Sequence, residues 1–393
     1  MNILFVLKVL EIGGLEIVSS VLANRFSVQG HRVVVFAFTR GEGKTIDGLE
    51  DSVRQVIGKG YNASADNVSL LRNILIEEKI DVVINQWGLP LVPIKVINKA
   101  RKGLDIKVIS VFHNDPLENG RLQGVKTAME KTRNPIRKAV LAIQWLVFRS
   151  ITGYAMGYVY RHSDLFEVLS PSFVAHFKRF TGIRNPRRLV VQTNPVTLSS
   201  KGFEYNSANK QKEVIYVGRL DHIQKRVFRI IDTWSLICGK YPDWSLTIIG
   251  DGEERANLER MVQEKGLSRV SFEGFRSPRD YYERASVLIL TSEYEGFPLV
   301  ITECMSFGVV PVVYGSYPAV YDIIEDGKDG MIVPKTAAGF DVRAMAGKLE
   351  LLISDLKGLE TKAHAAIDKS NNWSVERICE QWSNVLNGLL WRK

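Results

Sequence analysis

Val287-Leu288-Ile289-Leu290-Thr291-Ser292-Glu293-Tyr294-Glu295-Gly296-Phe297-Pro298-Leu299-Val300-Ile301-Thr302-Glu303 is one turn of a repeating device. Four uninterrupted apolar residues lead into a polar loop with a glycine, then into an apolar helix opened by a proline. A second apolar run follows at 309–313. A strand with no polar alternation is covered on both faces, the mark of a parallel sheet whose crossovers are helices. Proline suits the first helical turn, where its missing N–H has no partner to lose.

Working outward, the same alternation fills the chain. Near-continuous Val/Ile/Leu strands are predicted at 2–10, 31–38, 81–86, 107–112, 165–170 and 189–193. They recur at 214–217, 245–249, 270–272, 287–290, 309–313 and 331–333. The predicted class is α/β, with two doubly wound Rossmann-like domains facing across a cleft. Residues 199–212 hold Ser199-Ser200-Lys201 and Asn206-Ser207-Ala208-Asn209-Lys210, and are predicted as a linker. This places domain one at 1–198 and domain two at 213–372. Val375, Ile378, Trp382, Val385 and Leu389 recur at helical spacing, so a closing helix is expected within 373–393, able to cross back onto the first domain.

The composition narrows the function classes. At 45% hydrophobic and 24% charged residues, a mainly disordered chain is excluded. Cys238, Cys304 and Cys379 are far apart, which argues against a disulfide framework or a cysteine-ligated zinc site and for a reducing, cytoplasmic setting. Residues 1–10 are apolar but lack a basic start and a cleavage site, so no signal peptide is read. The longest apolar run, 139–148, is too short to span a bilayer, so the protein is expected to be soluble or peripheral. The charge is uneven. Of 52 Lys/Arg against 43 Asp/Glu, residues 121–188 contribute 13 basic and 3 acidic ones. Such a field attracts a phospholipid surface, nucleic acid or an anionic substrate.

Four groups of residues are candidates for chemistry. Gly13-Gly14-Leu15-Glu16 follows the first strand; it is either a tight turn or a place where a ligand meets the backbone and a helix N-terminus. With Glu11 and Glu16 in place it is no GxGxxG fingerprint, which disfavours a dinucleotide cofactor. Gly218-Arg219-Leu220-Asp221-His222-Ile223-Gln224-Lys225-Arg226 follows the first strand of domain two. Its cations are either a solvated loop or a clamp for a diphosphate. Glu303 lies inside an apolar helix, where a carboxylate needs a partner. A neighbouring arginine or the paired hydroxyls of a ribose would serve. Glu295 lies eight residues earlier, and the amides of 297–299 form a second anion site. His113 ends a strand of domain one, on the ligand side of an open sheet.

Together these residues resemble the family-four retaining glycosyltransferases of the GT-B fold (glycosyl transferases group 1). The resemblance covers most of the chain. It rests on the Gly-Gly turn with Glu16, His113, Thr193-Asn194-Pro195, Gly218-Arg219-Leu220 with Lys225, and Glu295 with Glu303. Phe307-Gly308-Val309-Val310-Pro311-Val312 and Gly315-Ser316-Tyr317-Pro318 continue the pattern. The spacing from Arg219 to Lys225 is one residue longer than in many members, and Arg226 stands where the family has glycine, so Arg226 is the alternative phosphate contact.

The resemblance implies an enzyme that moves a hexose from a nucleoside-diphosphate sugar, UDP more commonly than GDP, to a glycan or lipid-linked glycan of a bacterial surface polysaccharide. Arg219 and Lys225 would bind the diphosphate, Glu303 the ribose, and Glu295, with Gly296, Phe297, Pro298 and Leu299, the donor sugar and its phosphates. Gly274 and Arg276 would meet the base, Gly14 would lend an amide, and His113 would lie beside the sugar. No metal and no cofactor beyond the co-substrate are implied. Transfer would run by same-face displacement, with the leaving diphosphate taking the acceptor proton.

Arg121, Lys126, Lys131, Arg133, Arg137, Lys138 and Arg149 flank the 139–148 run with Trp145 among them. This segment is either a core helix with basic ends or a helix for an anionic leaflet. Two rival functions differ in kind. A sugar-nucleotide epimerase would want more acid and base groups than His113 offers. A non-enzymatic basic protein binding membrane or nucleic acid leaves the paired acids and cations unused, and no nucleic-acid-reading pattern is present.

Overall fold

The computed structural model describes residues 1–11, 13–41 and 48–390. Every expected strand forms, and one more. β1 (Asn2–Leu10), β2 (Arg32–Arg40), β3 (Arg54–Ile57), β4 (Val82–Asn85), β5 (Lys107–Phe112), β6 (Leu165–Val168) and β7 (Leu189–Val191) form a sheet in the order β3-β2-β1-β4-β5-β6-β7. β8 (Glu213–Val217), β9 (Ser245–Ile249), β10 (Val270–Gly274), β11 (Val287–Leu290), β12 (Val310–Gly315) and β13 (Met331–Pro334) form a second, ordered β10-β9-β8-β11-β12-β13. Pairing is parallel in both, as in β1 with β4 and β8 with β11. The unforeseen strand, β3, is a half-exposed edge of four residues, Arg-Gln-Val-Ile, held by β2. An edge strand needs no continuous apolar run, which is why the pattern missed it.

The chain divides into two compact units. One is Met1–Thr197 with Trp373–Lys393; the other is Leu198–Asn372. The first is built around Phe5, Phe26, Phe36, Phe38 and Phe166, all fully buried. The closing helix, Val375–Leu390, belongs to this unit; residues 391–393 of the expected segment lie outside those described. The Trp382 ring sets its edge against Phe26 at 6.5 Å. Gln192 Nε2 donates to Gln381 Oε1 (3.0 Å) and the Val196 amide to the Trp373 carbonyl (2.7 Å).

The stretch 199–212, expected as a linker, is instead part of the second unit. Phe203 packs on Phe307 (5.1 Å between centroids) and Tyr205 on His364 (5.0 Å). Lys210 Nζ donates to the Tyr282 carbonyl at 2.7 Å. Two aromatic residues, two apart, carry the packing that the polar text around them concealed.

A second correction concerns the apolar run 139–148. It is the middle of one helix, Pro135–Arg161, whose first turn is capped by Asn134: its Oδ1 accepts from the Ile136 (2.9 Å) and Arg137 (3.1 Å) amides. The whole helix is long and apolar enough to cross a membrane, and only 17% of its most apolar window is buried. It is not an ordinary core helix: its first five turns expose Ile136, Val140, Ile143, Leu146, Val147 and Ile151.

Trp382 is 2% exposed, so its truncation leaves a large cavity under the first sheet. Trp382→Ala is expected to cost about 3–5 kcal/mol of stability, measured by chemical denaturation. A loss below about 1 kcal/mol would mean that the closing helix is only loosely attached.

Candidate functional site

Strand order reverses between β8 and β11 in the second unit, and the loops that leave their carboxyl ends meet there. In open α/β sheets this is where ligands are held. The β8 loop begins at Gly218, whose φ of +152° suits glycine, and the next loop begins at Gly250, φ +140°. A Cβ on Gly250 would collide with the Gly218 carbonyl, so the glycine lets the two loops touch. Beneath them Tyr216, fully buried, donates from its hydroxyl to the Arg219 carbonyl at 2.8 Å.

Asp221 folds the loop. Its Oδ1 accepts from the amides of Ile223 (3.1 Å), Gln224 (2.6 Å) and Lys225 (3.2 Å). Its Oδ2 accepts from Arg219 Nε at 3.0 Å. The turn delivers Lys225 Nζ to Glu295 Oε1 at 2.5 Å and Gln224 Nε2 to Glu295 Oε2 at 3.1 Å. Gln224 Oε1 in turn accepts from Arg219 at 3.3 Å. Lys225 and Glu295 are largely buried, whereas the Arg219 side chain is 66% exposed. The result is a carboxylate fixed from both sides, beside a guanidinium that projects into solvent.

Arg226, the alternative phosphate contact, points elsewhere. Its NH1 lies 3.5 Å from Glu293 Oε2, which also receives Arg229 NH2 at 2.9 Å. Lys335 Nζ is 3.0 Å from the other oxygen of Glu293. Burial alone would raise the Glu293 carboxyl; Arg226, Lys335 and Arg229 outweigh it and hold the group below its ordinary value. Arg226 adopts φ +49°, a left-handed backbone. That is the physical reason for a glycine at this step in the family it resembles.

Glu303 lies in the helix Leu299–Ser306 and is 8% exposed; the Tyr282 hydroxyl donates to its Oε2 at 3.4 Å. Gly296, Phe297 and Pro298 are buried in the preceding loop and Leu299 is half-buried. Gly274 ends β10 with φ +70°, and Arg276 beyond it is exposed. Ser292 Oγ and the Tyr317 hydroxyl are buried and have no hydrogen-bond partner among the described residues. Burial and the Glu295 charge push the Tyr317 phenol up. Gln224, Asp221 and Tyr317 lie in stretches that the sequence reading quotes, but it gives them no role of their own, and it does not single out Tyr216. Only the Asp-x-x-Gln spacing of an Asx-type turn hinted at the first two.

The first unit carries Gly14 and His113. Gly14 opens the helix Gly14–Val28 and is exposed. Glu16, two residues on, folds its carboxylate back over Gly13. His113 follows β5, with Nε2 2.6 Å from Gln86 Oε1, and burial pushes the imidazole down to about 3. With that oxygen accepting, Nε2 carries the proton and the ring is neutral. Asp115 is buried and engaged: Oδ1 lies 2.7 Å from His176 Nδ1 and accepts from the Leu117 amide at 2.9 Å. Among the described residues no three His, Cys, Asp or Glu side chains converge as a metal site.

Two family models match this chain. "Glycosyltransferase Family 4" covers residues 12–200 and "Glycosyl transferases group 1" covers residues 200–371. A Campylobacter jejuni α-1,4-N-acetyl-D-galactosaminyltransferase, whose name gives a diNAcBac-PP-undecaprenol glycan as acceptor, is 29% identical over 58% of this chain and 61% of its own. The chain spans about half to three-fifths of the length of three of the curated relatives it matches, and less of others. Among solved structures, Anabaena HepE in complex with UDP superposes with a TM-score of 0.74 at 18% identity, over 99% of this chain and 100% of that one. The lipopolysaccharide outer core galactosyltransferase WaaB superposes at 0.67 and 20% identity, over 99% of each chain.

Two outcomes are expected. Lys225→Met strands the buried Glu295 carboxylate and should cost about 3–5 kcal/mol; adding Glu295→Gln should recover most of it in urea denaturation, and no recovery would refute the pairing. Glu16 is buried, and burial lifts its carboxyl from 4.5 to about 6. The folded state resists its ionisation, so stability falls as pH rises through this interval, by about 2 kcal/mol in all. Glu16→Gln should remove that fall; a pH profile unchanged by the substitution would contradict it.

Proposed function

Because the chain belongs to the group 1 glycosyltransferases of the GT-B fold, we propose that it transfers a hexose, with retention and without a metal, from a nucleoside-diphosphate sugar to a glycan or lipid-linked glycan of a bacterial surface polysaccharide. The observation that carries this reading is the Arg219–Gln224–Lys225–Glu295 network at the point where the second sheet reverses. Two cations and an ordered carboxylate side by side suit a diphosphate joined to a hydroxyl-rich ring. UDP is favoured over GDP, with support from HepE, a structural neighbour solved in complex with UDP and with UDP-glucose. A polyprenyl-diphosphate acceptor draws support from the name of the Campylobacter relative.

In this reading Arg219 turns its exposed guanidinium onto the diphosphate, and Lys225 divides its charge between that group and Glu295. Glu295 accepts from hydroxyls of the donor sugar. Glu303 accepts from the ribose, and the backbone from Gly274 to Arg276 meets the base. The roles of Gly14 and His113 rest on the resemblance alone; His113, being neutral, would serve as a hydrogen-bonding group rather than a cation. The bond from the anomeric carbon to the diphosphate oxygen breaks as the acceptor oxygen bonds on the same face. The acceptor proton passes to the departing oxygen, whose charge Arg219 and Lys225 stabilise. The enzyme would work at the cytoplasmic face of a membrane, with the basic segment 121–188 toward the anionic leaflet.

Arg219→Ala should lower kcat about 10²–10³-fold in transfer from UDP-sugar. UDP at 100 times its Kd should add about 2.7 kcal/mol of stability to the wild type, read as a thermal shift. Near wild-type turnover in the variant, or no UDP shift in the wild type, would overturn the reading.

A further inference from the structure

A cavity of about 400 Å³ lies in the first unit among Glu118, Lys126, Trp145, Arg149, Arg179 and Phe180. Its charge is unbalanced. Glu118 is already satisfied, accepting from Lys126 Nζ and from Gln123 Nε2, each at 2.6 Å. Among the described residues Lys126 is the one cation of the three in a salt bridge. Arg149 is held on the wall between two rings, 5.9 Å from the Trp145 centroid and 5.7 Å from that of Phe180. Trp145 Nε1 is buried and has no acceptor among the described residues. Two guanidiniums without carboxylates, an ammonium and a spare N–H suit an anion with several acceptor oxygens.

The same helix carries a second feature. Trp145 and Arg149 lie one turn apart on one face of Pro135–Arg161. Ile136, Val140, Ile143, Val147, Ile151 and Tyr154 recur at steps of three and four on the opposite face, all exposed. A helix is about 10 Å thick with its side chains. If the apolar stripe lies in hydrocarbon, the opposite face stands at the level of the lipid phosphates. Arg133, Arg137 and Lys138 cluster at the exposed end of this helix, as an anionic surface would require.

We propose that this cavity holds the phosphate or diphosphate head of a membrane amphiphile, while the apolar stripe of the same helix is embedded in the leaflet. The inference rests on the lipid-linked acceptor of the proposed function, and gives that acceptor a place to bind distinct from the Glu295 network.

The test is flotation of the full chain, saturated with UDP, on phosphatidylcholine vesicles carrying a polyprenyl diphosphate. Phosphatidylserine vesicles of equal surface charge are the control. Binding to the first is expected to be tighter by at least about tenfold. Arg149→Ala with Arg179→Ala should abolish that preference while leaving the UDP thermal shift unchanged. Val147→Glu, on the exposed stripe, should weaken binding to both. Equal binding to both vesicles would reduce the cavity to part of a diffuse basic patch and overturn the proposal. So would inorganic pyrophosphate binding as tightly as the lipid diphosphate, which would mark a soluble-anion site. Absence of a UDP shift with the vesicle preference intact would refute the donor reading and leave this site standing.

Discussion

A buried carboxylate must be matched, and in this protein the match is made by sheet topology. Lys225 and Glu295 are 70 residues apart in sequence. They meet because β8 and β11 are parallel neighbours, with Val214 opposite Val287 and Ile215 opposite Leu288. Parallel neighbours release their loops from the same edge, so the cation of one loop and the acid of the other arrive together without either strand bending. Most of the site follows from this. Glu295 is held by two donors, so its position is set before any ligand arrives. Asp221 rather than Glu295 takes the second contact of Arg219, and the guanidinium stays largely exposed. The prearranged acid and the available cation are the two things that a diphosphate joined to a sugar requires.

The fold was legible wherever burial on both faces forced an uninterrupted apolar run. β1, β8, β11 and β12 are of that kind, and their bounds lie within two residues of expectation. β3 was illegible because an edge strand is exposed and its residues, Arg54 and Gln55, read as surface. The stretch 199–212 was misread because its polar residues outnumber Phe203 and Tyr205, although two rings are enough to fasten it. The site divides in the same way. Arg219, Lys225, Glu295 and Glu303 stand out because charged residues at strand ends and in an apolar helix need a reason. Gln224 and Asp221 act over one turn of loop. No periodicity marks such residues, and only the backbone course reveals which amides a carboxylate can reach.

The first unit treats its polar groups differently. His113 is next to a carboxamide rather than a carboxylate, so burial dominates and the ring stays neutral. Asp115, the carboxylate nearest to it in sequence, is engaged by His176 and the Leu117 amide. Glu16 is buried beside a glycine turn with little to stabilise its charge. The strongly placed charges of this unit are instead on and around the helix Pro135–Arg161, where sequence charge and exposed apolar area coincide. That coincidence is what separates this exposed surface helix from a core helix with basic ends.

The longer spacing between Arg219 and Lys225 is absorbed by Asp221. By accepting three successive amides, its carboxylate gathers residues 223–225 into a turn tight enough that Lys225 still reaches Glu295. The chain must then turn left-handed at 226 before the helix Phe228–Ser235 can begin. A glycine would do this freely, whereas an arginine carries a penalty of roughly 1–2 kcal/mol. The penalty is offset by what the side chain gains: it joins Arg229 and Lys335 on Glu293, at the end of β11. The consequence is a division of labour between adjacent cations. Arg226 ties the two loops together through Glu293, and Lys225 is left to Glu295. A glycine at 226 would free the backbone but remove that second tie. The sequence's departure from the common pattern therefore trades local strain for a stiffer junction between the two loops on which the site is built.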